Sequence, residues 1–475
     1  MTKQTNVAVL GGGTGGYIAA IAAAQAGLEV VVIEREQLGG TCLHRGCIPT
    51  KALLRSAEAY VQAQDSSRFG VVIEGVSLNF ERVQQRKQEV VEQLHRGIQF
   101  LMKKYNIEVI YGNGRVMGPS IFSPQSGSVA VELPDEESLT IVPQHLIIAT
   151  GSRPRQLQGL AADGQRIVTS DEALQWTELP CSVIIVGGGV IGVEWASMLA
   201  DFGTEVIIVE AGARLVPTED EDVAKELARQ LKKRGVRIHT NTKLQVESVH
   251  TDDDAIHISA EVAEGKELLH LSAEKLLVSV GRQANVDGIG LENTGVQLEN
   301  GFIRVNESMQ TSEPHIYAIG DVIGGLQLAH AASAEGRVAV EHLTGGKPEA
   351  LDKHRIPRCI YSRPEAAAVG MTEHEARQAG IDVRIGKVSF KAIGKAVVQG
   401  ETDGFVKVVM DAATNDLLGV HIVGPHATEL IGEAALAKLL DATPWEVGHV
   451  IHPHPSLSEI MSEAMWAAEG RAYHG

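Results

Sequence analysis

Two segments of this chain repeat one device. Residues 6–34 read NVAVLGGGTGGYIAAIAAAQAGLEVVVIE, and residues 182–210 read SVIIVGGGVIGVEWASMLADFGTEVIIVE. In each, a short apolar run enters a glycine-rich turn, then a helical stretch, a Gly near its end, and a second apolar run closing on Glu. That order predicts a βαβ unit at both places. A lone GxGxxG would carry little weight. Here Gly11, Gly13 and Gly16, and again Gly187, Gly189 and Gly192, stand between a strand and a helix, with an acidic residue twenty-three positions on. The first Gly permits the tight turn, the second lets main chain approach a pyrophosphate, and the third lets the helix pack against the strand. The positive end of the helix then faces the phosphates. Glu34 and Glu210 are placed to accept hydrogen bonds from an adenosine ribose. Ordinary glycine turns in doubly wound sheets are the alternative, and coincidence explains two complete copies poorly.

The rest of the composition fits that reading and narrows it. A chain of 475 residues should form two to four domains, and 50 glycines beside only 4% aromatics suit many strand-to-helix turns. With 60 acidic against 42 basic residues the net charge is −18, and a polyanion-binding protein needs clustered positive charge, so no nucleic-acid partner is expected. No apolar run approaches a membrane span, so no membrane partner is expected either. The start leads from Met1 directly into the strand Val7 to Leu10, which leaves no room for a signal peptide and makes the cytoplasm the expected compartment.

After the second unit, Ala224 to Arg234 reads as helix, and a polar strand region runs to about residue 270. Lys275 to Gly281 reads as a further buried strand, and TSEPHIYAIGD at 311–321 ends a strand on Gly320-Asp321. From about residue 351 the pattern changes to a strand-rich meander, Val383 to Val423, before a helix from Glu429 to Leu440. That segment reads as a separate α+β domain without a nucleotide turn.

Four cysteines occur, far too few for a secreted disulfide scaffold of this length, and Cys42 and Cys47 lie within GGTCLHRGCIPTKALL at 39–54. Pro49 suits a first helical turn, which places Cys47 at a helix start, where the dipole and exposed N–H groups favour a thiolate. Lys51 follows on the same helix face. Cys42 is close enough through the intervening turn to form a small-loop disulfide. Two buried thiols, or half a metal site, would read the same way locally. A zinc site would want a second close pair, and Cys181 and Cys359 are isolated, so no metal is expected. Just downstream of a dinucleotide turn, redox use is the reading that fits both features.

Near the C-terminus, HPHPSLSE at 452–459 sets His454 between prolines, a restricted backbone that suits a fixed base. Glu459 is placed to orient its imidazole. A plain loop before a helix, with Ser456 and Glu459 at capping-box spacing, reads equally well from the segment alone.

Taken together these motifs resemble the pyridine nucleotide–disulfide oxidoreductases, over essentially the whole chain. The resemblance is carried by the two glycine turns, GGTCLHRGCIPTKALL, ATGSRP at 149–154, GGGVIGVEWAS at 187–197, SVGR at 279–282, AIGD at 318–321, LAHAASAEG at 328–336, YSRPEAAAVG at 361–370 and HPSLSE at 454–459. The family usually has Thr at the position of Ser456 and Asn-Val at that of His44-Arg45; neither change removes a reacting group. The chain ends AEGRAYHG, without the terminal Cys pair of mercuric reductases.

The resemblance implies an α/β fold with two doubly wound Rossmann-like dinucleotide-binding domains and a C-terminal α+β dimerisation domain. Its divisions would be 1–155 (FAD, first part), 156–281 (NAD), 282–350 (FAD and central, second part) and 351–475 (interface). FAD would be held by Gly11, Gly13, Gly16, Glu34, Gly40, Thr41, Lys51, Gly114, Gly151, Asp321 and Ala329, and NAD by Gly187, Gly189, Gly192, Glu210 and Gly281. Catalysis would fall to Cys42, Cys47, Lys51 paired with Glu194, and His454 with Glu459 from the other subunit of a homodimer. Within the family the motifs are most similar to the enzymes that oxidise dihydrolipoyl groups, which implies lipoyl domains and the core acyltransferase of a 2-oxo acid dehydrogenase complex as partners. A glutathione- or mercuric-reductase-like activity, or a mainly docking role in such an assembly, are the alternatives. Glu210 favours NAD over NADP, because a carboxylate bonds a free 2′-hydroxyl and repels a 2′-phosphate; Arg214 is the nearby cation that could soften this preference.

Overall fold

The computed structural model describes residues 2–119, 125–135, 137–263 and 267–474. They group into two compact units, one formed by Met1–Ala52, Arg82–Arg155 and Arg282–Leu351, the other by Leu53–Glu81, Gln156–Gly281 and Asp352–Gly475.

The first unit is organised by β1 (Thr2–Leu10), α1 (Thr14–Gln25) and β2 (Val30–Glu34). Val7, Ala8, Val9, Val31 and Val32 have no exposed surface, because a parallel strand covered on both faces must be apolar on both. β1 pairs in parallel with β2 (Val7↔Val30 to Leu10↔Ile33) and, on its other edge, with Ser138–Ile148 (Thr2↔Thr140 to Leu10↔Ile148). Glu108–Tyr111 extends the parallel array beyond β2, and Ile316–Ala318 extends it beyond Ser138–Ile148. Two antiparallel strands, Asn113–Met117 and Ser128–Glu132, complete a seven-stranded sheet. α1 packs on the helix Ala329–Leu343 through small residues: a Cβ on Gly336 would lie 3.0 Å from Gly15 O, and one on Gly15 would lie 3.2 Å from Ala332 Cβ. The Ala- and Gly-rich sequence of α1 is what lets the two helices approach so closely.

The second unit repeats the βαβ device as Ser182–Val186, Val190–Asp201 and Glu205–Val209. Its parallel sheet runs in the order Arg237–His239, Glu205–Val209, Ser182–Val186, Lys275–Val278, Ile167–Val168. An antiparallel sheet of Thr242–Thr251, Ile256–Val262 and Leu268–Ala273 follows in the chain. The C-terminal portion holds a five-stranded antiparallel sheet, in the order Arg358–Ile360, Glu365–Gly370, Leu417–Gly424, Phe405–Asp411, Val383–Ser389. Its core is Phe390, Val406, Val408, Ile422, Ile431 and Met461, shared by this sheet and the helices Ala427–Leu439 and Glu459–Ala468. A Cβ on Gly386 would lie 2.2 Å from Ala464 O, so the glycine lets the last helix lie directly on the edge strand.

Several elements differ from expectation. The helix expected over Ala224 to Arg234 begins a turn earlier, as Glu221–Lys233, because Asp220 caps it by accepting the Asp222 N–H at 3.0 Å. The strand from Lys275 stops at Val278, and Gly320–Ile323 is a 3₁₀ turn after the short strand Ile316–Ala318. The 25-residue helix Phe80–Lys104 has no counterpart in the sequence reading. Among the described residues no helix is long and apolar enough to cross a membrane.

One buried charge cluster holds the second unit together. Lys407, on a central strand and only 3% exposed, places Nζ 3.0 and 3.1 Å from the two carboxylate oxygens of Asp220, 3.1 Å from Asp222 and 2.8 Å from Glu373. Burial pushes the Asp220 carboxyl up, but His421 and Lys407 outweigh it and hold it below its ordinary range. Removing one partner of such a pair leaves an uncompensated buried charge. We therefore expect Lys407→Ala to cost about 3–5 kcal/mol in urea unfolding at neutral pH. A depressed carboxyl stabilises the native state above its unfolded pKa, so in the wild type Asp220's contribution should be lost as pH falls below about 4. A Lys407→Ala protein as stable as the wild type would show the cluster to be energetically neutral.

Candidate active site

The cysteines sit at a break between two helices. Gly39, left-handed at φ 104°, precedes α2 (Gly40–Arg45), Gly46 interrupts, and α3 (Cys47–Gln64) begins at Cys47 itself. Cys47 thus takes the helix start that Pro49 implies, where free N–H groups and the dipole favour a negative sulfur. Both cysteines are in the thiol form and partly exposed. Cys42 is hydrogen-bonded to Cys47; that bond, then burial, push its thiol far above the ordinary cysteine range, against the smaller opposing effects of Thr14 and Lys51. Lys51 lies one turn further along α3.

Both glycine turns are built for close approach. A Cβ on Gly11 (φ +107°) would lie 2.3 Å from Ala149 O, and one on Gly16 would lie 1.9 Å from Gly11 O. In the second copy, Gly192 would meet Gly187 O at 2.0 Å. The middle glycines differ in kind. Nothing lies within 4 Å of a Cβ on Gly189, and only Gly40 Cα, at 3.9 Å, lies near one on Gly13. Each turn therefore leaves open space at its middle glycine. Glu34 accepts the N–H groups of Gly12 (2.7 Å) and Glu36 (2.8 Å), and Glu210 those of Gly188 and Gly212 (both 2.5 Å).

In the second unit Gly187, Gly189, Glu210 and Gly281 come together on the wall of one cavity of about 750 Å³, with Leu244 and Val246 supplying apolar surface. The size suits a nucleotide. Arg214 turns its guanidinium to the carbonyls of Pro217 (2.9 Å) and Glu219 (3.3 Å).

In the first unit Asp321 accepts a short hydrogen bond from Ser152 Oγ, and Arg282 Nε stands 3.6 Å from its carboxylate and 2.7 Å from Ser152 Oγ. Gly151 (φ +69°) faces open space, whereas Gly40 fits tightly against Gly13, 2.7 Å from its Cα to a Cβ. Thr41 follows in the first turn of α2. Gly114 has a packing reason of its own, since a Cβ there would strike Leu10 at 2.5 Å. Ala329 opens the helix Ala329–Leu343, and Glu335 on that helix accepts the Gly320 N–H at 2.7 Å; burial pushes its carboxyl up. Sequence reasoning missed Ser152, Arg282 and Glu335. Their signal was present, because each lies inside a motif that carried the resemblance.

His454 and Glu459 belong to the second unit. His454 Nδ1 lies 2.8 Å from Glu459 Oε1, and the imidazole is 77% exposed. Glu459 Oε2 accepts the Ser456 N–H at 2.9 Å. Burial raises the Glu459 carboxyl, yet the Ser456 N–H and the imidazole together hold it below its ordinary value. The two sequence readings thus coexist in one carboxylate, although the helix cap itself is Ser458. Glu194 is buried and accepts the Tyr361 N–H at 2.9 Å.

A duplicated dinucleotide turn beside a vicinal dithiol defines a class. Residues 5–336 match the model of the pyridine nucleotide-disulphide oxidoreductases, and residues 356–465 match the dimerisation domain of the same family. The chain belongs to this family of FAD-containing, NAD-dependent oxidoreductases. It is 59% identical over 475 residues to a dihydrolipoyl dehydrogenase of Bacillus subtilis (strain 168), covering 100% of both chains. It is 38% identical to the mitochondrial dihydrolipoyl dehydrogenase of Pisum sativum, over 100% of this chain and 93% of that one. Among solved structures, LpdA of Mycobacterium tuberculosis superposes with a TM-score of 0.89 at 26% identity, over 98% of this chain and 99% of the other. The HOCl-induced flavoprotein disulfide reductase RclA of Escherichia coli, in its Cu(II) complex, gives 0.85 at 29%, with the same coverage.

The contrast between the glycines of the second turn is testable. Gly189→Ala should fold normally, because its Cβ meets nothing, yet weaken NAD⁺ binding at least about tenfold by occupying space beside the pyrophosphate. Gly192→Ala should instead destabilise the unit by about 1–3 kcal/mol through overpacking. Titration of NAD⁺ against both variants, beside their unfolding curves, separates the two effects. Unchanged affinity in Gly189→Ala would move the pyrophosphate elsewhere.

Proposed function

We propose that this chain oxidises protein-bound dihydrolipoyl groups to the lipoyl disulfide, with NAD⁺ as final acceptor, as a component of a 2-oxo acid dehydrogenase complex. The observation that carries this reading is the Cys42–Cys47 pair at the start of α3, in a chain 59% identical throughout to a dihydrolipoyl dehydrogenase.

In the oxidised enzyme Cys42 and Cys47 form a disulfide. His454 removes a proton from one substrate thiol, and the thiolate attacks Cys42 Sγ, breaking the protein disulfide and releasing Cys47 as a thiolate. The second substrate sulfur, deprotonated in turn, attacks the first, which closes the lipoyl ring and releases Cys42. Glu459 orients His454 and favours its protonated form. The start of α3 and Lys51, with Glu194 as its proposed partner, stabilise negative charge at Cys47. FAD, when bound, carries the two electrons from the dithiol to the nicotinamide. The first glycine turn with Glu34, Gly40, Thr41, Gly151, Asp321 and the start of helix Ala329–Leu343 would hold it, and the cavity beside Gly187, Gly189, Glu210 and Gly281 would hold NAD⁺. Glu210 selects against NADP⁺, and the engagement of Arg214 by main-chain carbonyls supports that selection. Each site would borrow His454 and Glu459 from the second copy of a homodimer. Lipoyl domains and the core acyltransferase would be the partners, in the cytoplasm.

A substrate panel tests the reaction: dihydrolipoamide should be oxidised with NAD⁺ far faster than glutathione or a mercuric ion is turned over with either nicotinamide. Preference for another thiol would replace the proposed substrate. His454→Gln should lose about 10²–10⁴-fold in rate while retaining FAD. The heterodimer of Cys47→Ser and His454→Gln subunits should have about half the wild-type activity, because one of its two sites is then intact. Heterodimers that demonstrably form yet stay inactive would place the base in its own subunit.

A further inference from the structure

The helix that carries Cys42 is tied down at its far end by groups the reaction above does not use. α2 has Cys42 in its first turn and His44 and Arg45 in its last. His44 Nε2 lies 2.9 Å from Leu38 O, and His95 Nδ1, on helix Phe80–Lys104, lies 3.0 Å from the same oxygen. A carbonyl only accepts and has two lone pairs, so both rings donate to it, each with its proton on the facing nitrogen. The rings meet edge to face with centroids 5.2 Å apart. Beside them Arg45 Nη2 pairs with Glu36 at 2.5 Å. Two polar links therefore run from the last turn of α2 to residues 36–38.

The geometry points to His44 and His95 as positioning residues that clamp α2 onto the Leu38 carbonyl and so hold Cys42 at bonding distance from Cys47. The proposal rests on reading that pair as the redox centre. α2 is six residues long, with Gly39, at φ 104°, before it and Gly46 after it, and a helix this short has little rigidity of its own. Freed at its last turn it would let Cys42 swing, lowering the effective concentration of one thiol at the other. The disulfide would then be less favoured against the dithiol. The clamp also has a preferred charge. Burial holds His44 below the ordinary imidazole value, with His95 and Arg45 acting in the same direction and the Leu38 carbonyl and Glu34 opposing. The neutral form of His44 thus fits the closed clamp. It is intact above the ordinary imidazole pKa of about 6.5 and weakens as pH falls below it.

The FAD-loaded protein, without nicotinamide, is equilibrated in buffers of dithiothreitol and its cyclic disulfide. Cys42 and Cys47 are trapped by alkylation and counted by mass spectrometry. The exchange is protein disulfide plus dithiothreitol giving protein dithiol plus cyclic disulfide. His44→Ala should shift this equilibrium about tenfold toward the dithiol, about 30 mV for a two-electron couple. His44→Gln, whose amide nitrogen reaches the position of Nε2, should stay near the wild type. An unshifted Ala variant, or a Gln variant displaced as far as Ala, overturns the clamp. Should His44→Ala fail to retain FAD, His95→Ala against His95→Asn reads the same contrast from the other side. The wild type should also bend from the two-proton pH dependence below about pH 6.5, and the double variant His44→Gln, His95→Asn should not; equal bending in both overturns the proposal. A wild type that forms no Cys42–Cys47 disulfide at any buffer ratio would instead sink the redox reading itself.

Discussion

The structure depends on a main-chain contact too close for any side chain. In both glycine turns the third glycine lies against the carbonyl of the first, where a Cβ would come within 1.9 Å at Gly16 and 2.0 Å at Gly192. That contact seats each helix on its strand and turns the helix start toward open space at Gly13 and Gly189. It also puts the N–H of Gly12 and Gly188 in reach of Glu34 and Glu210. One steric condition, met twice, therefore sets the helix-start amides and the carboxylate together, as the proposed dinucleotide sites require.

Charge is distributed by purpose. Lys407 and Asp220 are buried and mutually satisfied, where a charge holds elements in register and contacts no solvent. His454 keeps most of its imidazole exposed while one nitrogen is held by Glu459, an arrangement that suits the proposed role as base. Cys42 and Cys47 stand between these extremes, partly exposed and hydrogen-bonded to each other. Their surroundings combine a helix start, a lysine one turn on, and a glycine on either side of α2.

Legibility followed how local each signal is. The βαβ units, the place of Cys47 at a helix start and the contact of His454 with Glu459 all lie within short stretches whose spacing has a direct physical meaning. The 25-residue helix Phe80–Lys104 escaped because its sequence is largely polar and only a few positions, among them Val91, Ile98 and Met102, are buried. Asp321 was anticipated through its motif, but its partners Ser152 and Arg282 were not, since Ser152 lies 169 positions from Asp321 and 130 from Arg282. Ser456 was placed at a cap by spacing, and the chain in fact begins its last helix after Ser458.

By itself, then, the sequence determined the two glycine turns, the close cysteine pair and the contact of His454 with Glu459, because glycine, cysteine and proline spacings constrain the backbone within a single turn or loop. Tertiary structure alone decided which distant groups meet. Lys407 reaches Asp220 across 187 positions, and Arg282 reaches Ser152 across 130. His44 and His95 converge on one carbonyl from two helices. Those pairings follow from how sheets and helices close on their apolar faces, and no local pattern of residues encodes where two surfaces will finally touch.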